Sequence, residues 1–75
     1  MKLPIVSSAK VIKALTSVGF SISRQSGSHV ILTKHGGDSK ITVVVPKRNE
    51  LAKGTLLSII SQTEMSKEEF IGFLE

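Results

Sequence analysis

Between Phe20 and Pro46 the chain carries three extended runs joined by turns too short to hold a helical crossover, and this constrains the centre of the fold more than any other feature. Phe20 to Gln25 alternates Phe20, Ile22 and Arg24 against Ser21, Ser23 and Gln25, the period of a half-buried strand. Ser26-Gly27 is a tight-turn signal, Ser28 to Lys34 reads as a second strand, and His35-Gly36-Gly37-Asp38 as a flexible hairpin loop. Lys40 to Val45 is a third strand, rich in β-branched residues and stopped by Pro46. Connections of this length predict an antiparallel meander.

Helical patterns flank the meander. Ser7 or Ser8 can cap a first helix whose stripe is Val11, Ile12, Leu15 and Val18, with Gly19 as its C-terminal stop. Lys47 to Lys53 is a polar connection, after which Thr55 can cap a second helix carrying Leu56, Leu57, Ile59 and Ile60. Ser66 and Glu69 have capping-box spacing, and Met65 with Phe70 could form a hydrophobic staple, so a short last helix is predicted to pack Phe70, Phe73 and Leu74. The order is α-β-β-β-α-α: one domain over residues 1–75, an α+β fold with a three-stranded antiparallel sheet, helices on one face and the other face open.

Composition narrows the chemistry. With no cysteine there is no disulfide, thiol nucleophile or thiolate metal site, and the two histidines and six carboxylates have no metal-ligand spacing. Any reaction must therefore come from bare side chains, without metal or cofactor. No stretch approaches the ~20 apolar residues that span a bilayer. The start, Met1-Lys2-Leu3-Pro4-Ile5, lacks a secretory apolar core, so a cytoplasmic location with no membrane partner is expected. Charge is unevenly spread: residues 1–48 carry eight Lys/Arg and one Asp (+7), residues 49–75 two Lys and five Glu (−3). A basic body of this kind suits a polyanionic partner.

The sharpest local feature is Arg24-Gln25-Ser26-Gly27-Ser28-His29, which sets a histidine just after a glycine turn and close to an arginine. Histidine's ordinary pKa, about 6.5, lets it give and take protons near neutrality. RNA needs little more for self-cleavage: a deprotonated, aligned 2′-hydroxyl attacks the adjacent phosphorus while cations stabilise the phosphoryl oxygens. A strand histidine is also a common surface residue, and strand parity does not settle which way His29 faces. His35, in a Gly-Gly loop, is the weaker of the two histidines. A second candidate is Lys47-Arg48-Asn49 followed by Lys53-Gly54-Thr55, where free N–H groups at a helix start could hold an anion; Gly54 and Thr55 could equally just begin the helix. The only aromatics are three Phe at core-like positions, so binding by phosphate contacts and shape is expected rather than base stacking.

Gly19-Phe20, Arg24-Gln25-Ser26-Gly27-Ser28-His29, Val45-Pro46, Leu51-x-x-Gly54-Thr55-Leu56 and Ser66-x-Glu68-Glu69-Phe70 together resemble the HicA toxins in order and spacing, over roughly residues 8 to 74. The resemblance implies a fold related to double-stranded RNA-binding domains and a type II toxin: a metal-independent endoribonuclease (mRNA interferase) neutralised by a cognate HicB-type antitoxin. The family's Gly-Ser-His motif puts its catalytic histidine at His29. Where members commonly carry a second histidine shortly after the strand-ending proline, this chain has Arg48, which can fork a phosphate but cannot move protons at neutral pH. The expected phosphate contacts are Arg24, Ser28, Lys47, Arg48, Lys53, Gly54 and Thr55. A non-catalytic RNA-binding module of the same fold is the competing reading, and a purely protein-binding adaptor the third.

Overall fold

The computed structural model describes residues 3–74; Met1, Lys2 and Glu75 lie outside them. Six elements follow one another: α1 (Ser8–Ser17), β1 (Ser21–Gln25), β2 (His29–Gly36), β3 (Ser39–Pro46), α2 (Lys53–Thr63) and α3 (Lys67–Leu74). The strands form an antiparallel sheet in the order β1-β2-β3, so the meander and the α+β order are as predicted.

Cross-strand pairs define the two faces. Val30 opposite Val45 and Leu32 opposite Val43 are buried, and with Val11, Leu15, Leu56, Ile59 and Phe70 they make one apolar cluster beneath the helices. His29 opposite Pro46, Ile31 opposite Val44 and His35 opposite Lys40 alternate with them and occupy the other face, which no helix covers. The two sheet edges differ. Gln62 of α2 accepts a hydrogen bond at 3.1 Å from the Val44 N–H, satisfying one donor of β3's outer edge, whereas every residue of β1 is exposed.

Local chemistry accounts for most element ends. Ser7 caps α1, its Oγ accepting from the Lys10 N–H at 3.2 Å. Gly19 turns the chain into β1 with φ of 105°, a backbone conformation that favours glycine, and a Cβ there would press on the mobile end of Lys34, 3.3 Å from its Cε. The capping box forms in both directions: Glu69 N–H to Ser66 Oγ at 3.1 Å, and Ser66 N–H to Glu69 Oε1 at 3.3 Å.

Four expectations are corrected. His35 and Gly36 belong to β2, and the hairpin tightens to Gly37-Asp38, with Gly37 at φ of 59°. Thr55 does not cap α2; the helix begins at Lys53, with Ala52 in the capping position and no side-chain cap, and Thr55 sits inside the first turn. Phe73 is 47% exposed rather than core, because Phe70 and Leu74 take the inward side of α3. Within the first strand region only Phe20, just ahead of β1, is buried, since α1 does not reach over Ile22.

The simple alternation of β1 also fails. The pairing runs Ser21–Thr33 and Ile22–Leu32, then shifts to Arg24–Ile31 and Gln25–Val30, leaving Ser23 as a bulge. Ser23 pins it, donating from Oγ to the Ile31 carbonyl at 3.1 Å and accepting from Thr33 Oγ1 at 3.1 Å. The bulge moves Arg24 off the Ile22 face and onto that of Ile31 and His29.

Candidate functional site

The turn between β1 and β2 is organised by Ser26. Its N–H donates to the His29 carbonyl at 2.8 Å, and its Oγ accepts from the N–H groups of His29 (3.1 Å) and Ser28 (3.3 Å). A serine hydroxyl thereby closes the turn that the glycine signal suggested. Gly27 itself is not in the left-handed region, and a Cβ there would meet nothing within 4 Å. Neither backbone strain nor crowding demands a glycine at this position, which leaves open space beside Ser28 and His29.

His29 is the first residue of β2 and is exposed on the uncovered face. Ser28 Oγ lies 2.9 Å from its Nδ1, so one ring nitrogen is engaged by the protein and Nε2 is the one left to a ligand. Arg24 is on the same face, paired with Ile31, which places it diagonally across from His29. Lys47 joins through the backbone, its N–H donating to the Ser28 carbonyl at 2.8 Å.

Arg48 is held by a residue that sequence inspection treated only as a possible cap. Ser8 Oγ donates to the Arg48 carbonyl at 3.1 Å and accepts from the Arg48 N–H at 3.0 Å, while the Ser8 N–H donates to the same carbonyl at 2.9 Å. Leu51 N–H to the Val6 carbonyl, 2.8 Å, pins the far side of the connection. Residues 47–51 are therefore a fixed strap across the start of α1 rather than a loose loop.

Two clefts flank Arg48. The larger, about 740 Å³, opens on the helix-covered side between α1 (Ala9, Ile12) and the strands (Ile22, Gln25, Val30), with Lys47, Arg48 and Asn49 along its rim. The smaller, about 290 Å³, lies between Pro46, Arg48, Leu51 and Thr55. Of the expected phosphate contacts, Arg24, Ser28, Lys47 and Arg48 have backbone positions at His29's end of the sheet, with Arg24 on the open face and Lys47 and Arg48 on the rim of the helix-side cleft. Thr55 lines the smaller cleft, and Lys53 and Gly54 are exposed on the first turn of α2, lining neither. Gln25, Ser26 and Asn49 belong to the two runs that the sequence marks but not to the expected phosphate contacts; Ser26, three residues before His29, has the spacing of a serine turn. Among the described residues no three His, Asp or Glu side chains come together as a metal-ligand set.

A family model described as the HicA toxin of bacterial toxin-antitoxin matches residues 8–65, from the start of α1 past the end of α2. The chain belongs to the HicA toxin family. No curated protein matches it. As a HicA toxin it is one half of a toxin–antitoxin system and has a cognate antitoxin as its partner. The match takes in the Ser26–His29 turn, the strap and the first turn of α2, but stops short of α3. No helix among the described residues is long and apolar enough to cross a membrane.

Proposed function

We propose that this HicA toxin is a metal-independent endoribonuclease that cleaves cytoplasmic mRNA, with His29 as its catalytic acid/base group. The observation that carries the reading is the Ser28 Oγ–His29 Nδ1 contact of 2.9 Å on an exposed ring at the cationic end of an uncovered sheet face. In the tautomer whose Nδ1–H donates to Ser28 Oγ, Nε2 carries the lone pair that a general base needs. Nε2 takes the proton of an RNA 2′-hydroxyl, O2′ forms a bond to the adjacent phosphorus, and the P–O5′ bond breaks. The products are a 2′,3′-cyclic phosphate and a 5′-hydroxyl, whose oxygen is protonated by water or by the imidazolium. Arg24, Lys47 and Arg48 stabilise charge on the phosphoryl oxygens, and Arg48, standing where relatives place a second histidine, does so as a guanidinium fork.

Lys53, Gly54 and Thr55 are a more remote phosphate contact, suited to a substrate that continues past Arg48 as on a double-stranded RNA-binding fold. The antitoxin is a HicB-type protein that covers the cationic His29 surface with acidic or apolar groups.

The decisive experiment incubates purified protein with a structured mRNA in EDTA. Fragments ending in 2′,3′-cyclic phosphate are expected; bound but intact RNA would make the protein a non-catalytic RNA-binding module instead. Ser28 acts as a positioning residue, so Ser28→Ala is expected to lower kcat about tenfold, the equivalent of one hydrogen bond of about 1.4 kcal/mol, with KM little changed. Ser28→Thr, which keeps the hydroxyl, should restore most of the rate; equal loss in both variants would remove Ser28 from this role.

A further inference from the structure

The larger cleft beside the strap shares its rim residues Lys47 and Arg48 with that mechanism, but its apolar floor and its two amides play no part in it. We infer that it holds one unpaired nucleotide of the RNA, adjacent to the linkage presented to His29; this rests on the ribonuclease reading of the same sheet end. The floor is aliphatic, formed by Ile12, Ile22 and Val30. Ile22 pairs with buried Leu32 and so lies on the core side of the sheet, yet it is 47% exposed. It is apolar surface that the fold itself leaves uncovered, in a concave place.

The rim selects for charge. Lys47 and Arg48 line the cleft and no carboxylate does. Gln25 and Asn49 complete it, each a planar amide offering a donor and an acceptor side by side, the pattern that pairs with the edge of a base. Phosphate, apolar ring face and donor–acceptor edge are the three parts of a nucleotide, and the cleft has a counterpart for each. A peptide backbone can pair with such amides too; the nucleotide is favoured because the cleft adjoins the end of the sheet that carries His29. At about 740 Å³ the cleft falls within the range of small-ligand sites, roughly 300–1,000 Å³, the size of one nucleotide rather than of a duplex. No aromatic ring lines it, so hydrogen bonds to the base edge, not stacking, set any preference.

Backbone geometry ties the cleft to the reacting end. Gln25 pairs with Val30, the neighbour of His29, and Lys47 donates to the carbonyl of Ser28, whose hydroxyl touches the His29 ring. A single strand crossing the end of the sheet therefore places one base on the helix side and the next phosphodiester on the open side. The strap that carries Lys47, Arg48 and Asn49 is held by Ser8, so the cleft exists before the ligand arrives.

The test uses full-length His29→Ala protein with labelled methyl and side-chain amide groups. It is titrated with an RNA hairpin bearing an unpaired loop and, separately, with the same stem as an uninterrupted duplex. The hairpin should shift the methyl signals of Ile12, Ile22 and Val30 and the amides of Gln25 and Asn49; the duplex should leave them in place. Ile22→Glu, on an exposed edge strand, should weaken hairpin binding at least tenfold with an unchanged circular dichroism spectrum. Shifts confined to Ile31 and Val44 on the open face, or hairpin affinity within twofold in Ile22→Glu, would overturn the inference. Cleavage by the wild type and not by His29→Ala, with silent cleft signals, would leave the ribonuclease reading standing alone. Moving cleft signals with undiminished cleavage by His29→Ala would do the reverse.

Discussion

His29→Ala is expected to lower the rate of RNA cleavage by about 10²–10⁴-fold, the usual contribution of a positioned acid/base group, and to abolish growth arrest on expression. The fold should survive. His29 is exposed, and the hydrogen bonds that shape its turn come from its backbone, which alanine retains; the side chain adds only the contact with Ser28. A change within about 0.5 kcal/mol, or a few degrees in Tm, is therefore anticipated. Undiminished cleavage by a folded His29→Ala protein would sink the catalytic assignment. His35→Ala is the matched control. Both histidines lie on the open face of β2, but six residues apart, about 20 Å at 3.3 Å per residue, so they cannot serve one phosphodiester. His35→Ala should cleave like the wild type.

How far the sequence carried this site depends on the residue. The meander, the capping box and the position of His29 at the start of β2 follow from turn residues and strand periodicity, which are local. Arg24 was misplaced for a physical reason: period-two alternation counts it with Ile22, and a single bulged residue, Ser23, reverses that parity. Nothing in Ser21-Ile22-Ser23 announces a bulge, because what fixes it is a hydroxyl pair with Thr33, ten positions away. The strap was hidden in the same way. Ser8 looks like a helix cap, and only tertiary contact turns its hydroxyl toward Arg48, forty residues on, while Ser7 does the capping. The expected cap at Thr55 failed because the chain enters α2 through Ala52, where the polar strap and the burial of Leu51 set the start of the helix.

Phe70→Ala is expected to be the most damaging single change to stability, although Phe70 lies beyond the region that matches the family model. Its side chain is 0% exposed and belongs to the same apolar cluster as Val11 and Leu15, with α3 packed on α1. Truncating a buried Phe costs about 3–5 kcal/mol. A domain of this size has about 4–11 kcal/mol in all, at roughly 0.05–0.15 kcal/mol per residue. Melting followed by circular dichroism should show Tm lowered by roughly 12 °C or more, against a small change for Phe73→Ala, whose ring is half exposed. A Phe70→Ala melt within a few degrees of the wild type would show that α3 is an accessory rather than part of the core. The two large effects separate by temperature. Near 10–20 °C, where domains of this kind are most stable, Phe70→Ala should regain cleavage as the folded fraction recovers, while His29→Ala stays inactive when fully folded. The acidic end of the chain then has a structural share in activity: Glu69 caps the helix that carries Phe70, and Phe70 helps to hold α1, whose Ser8 fixes Arg48 at the edge of the site.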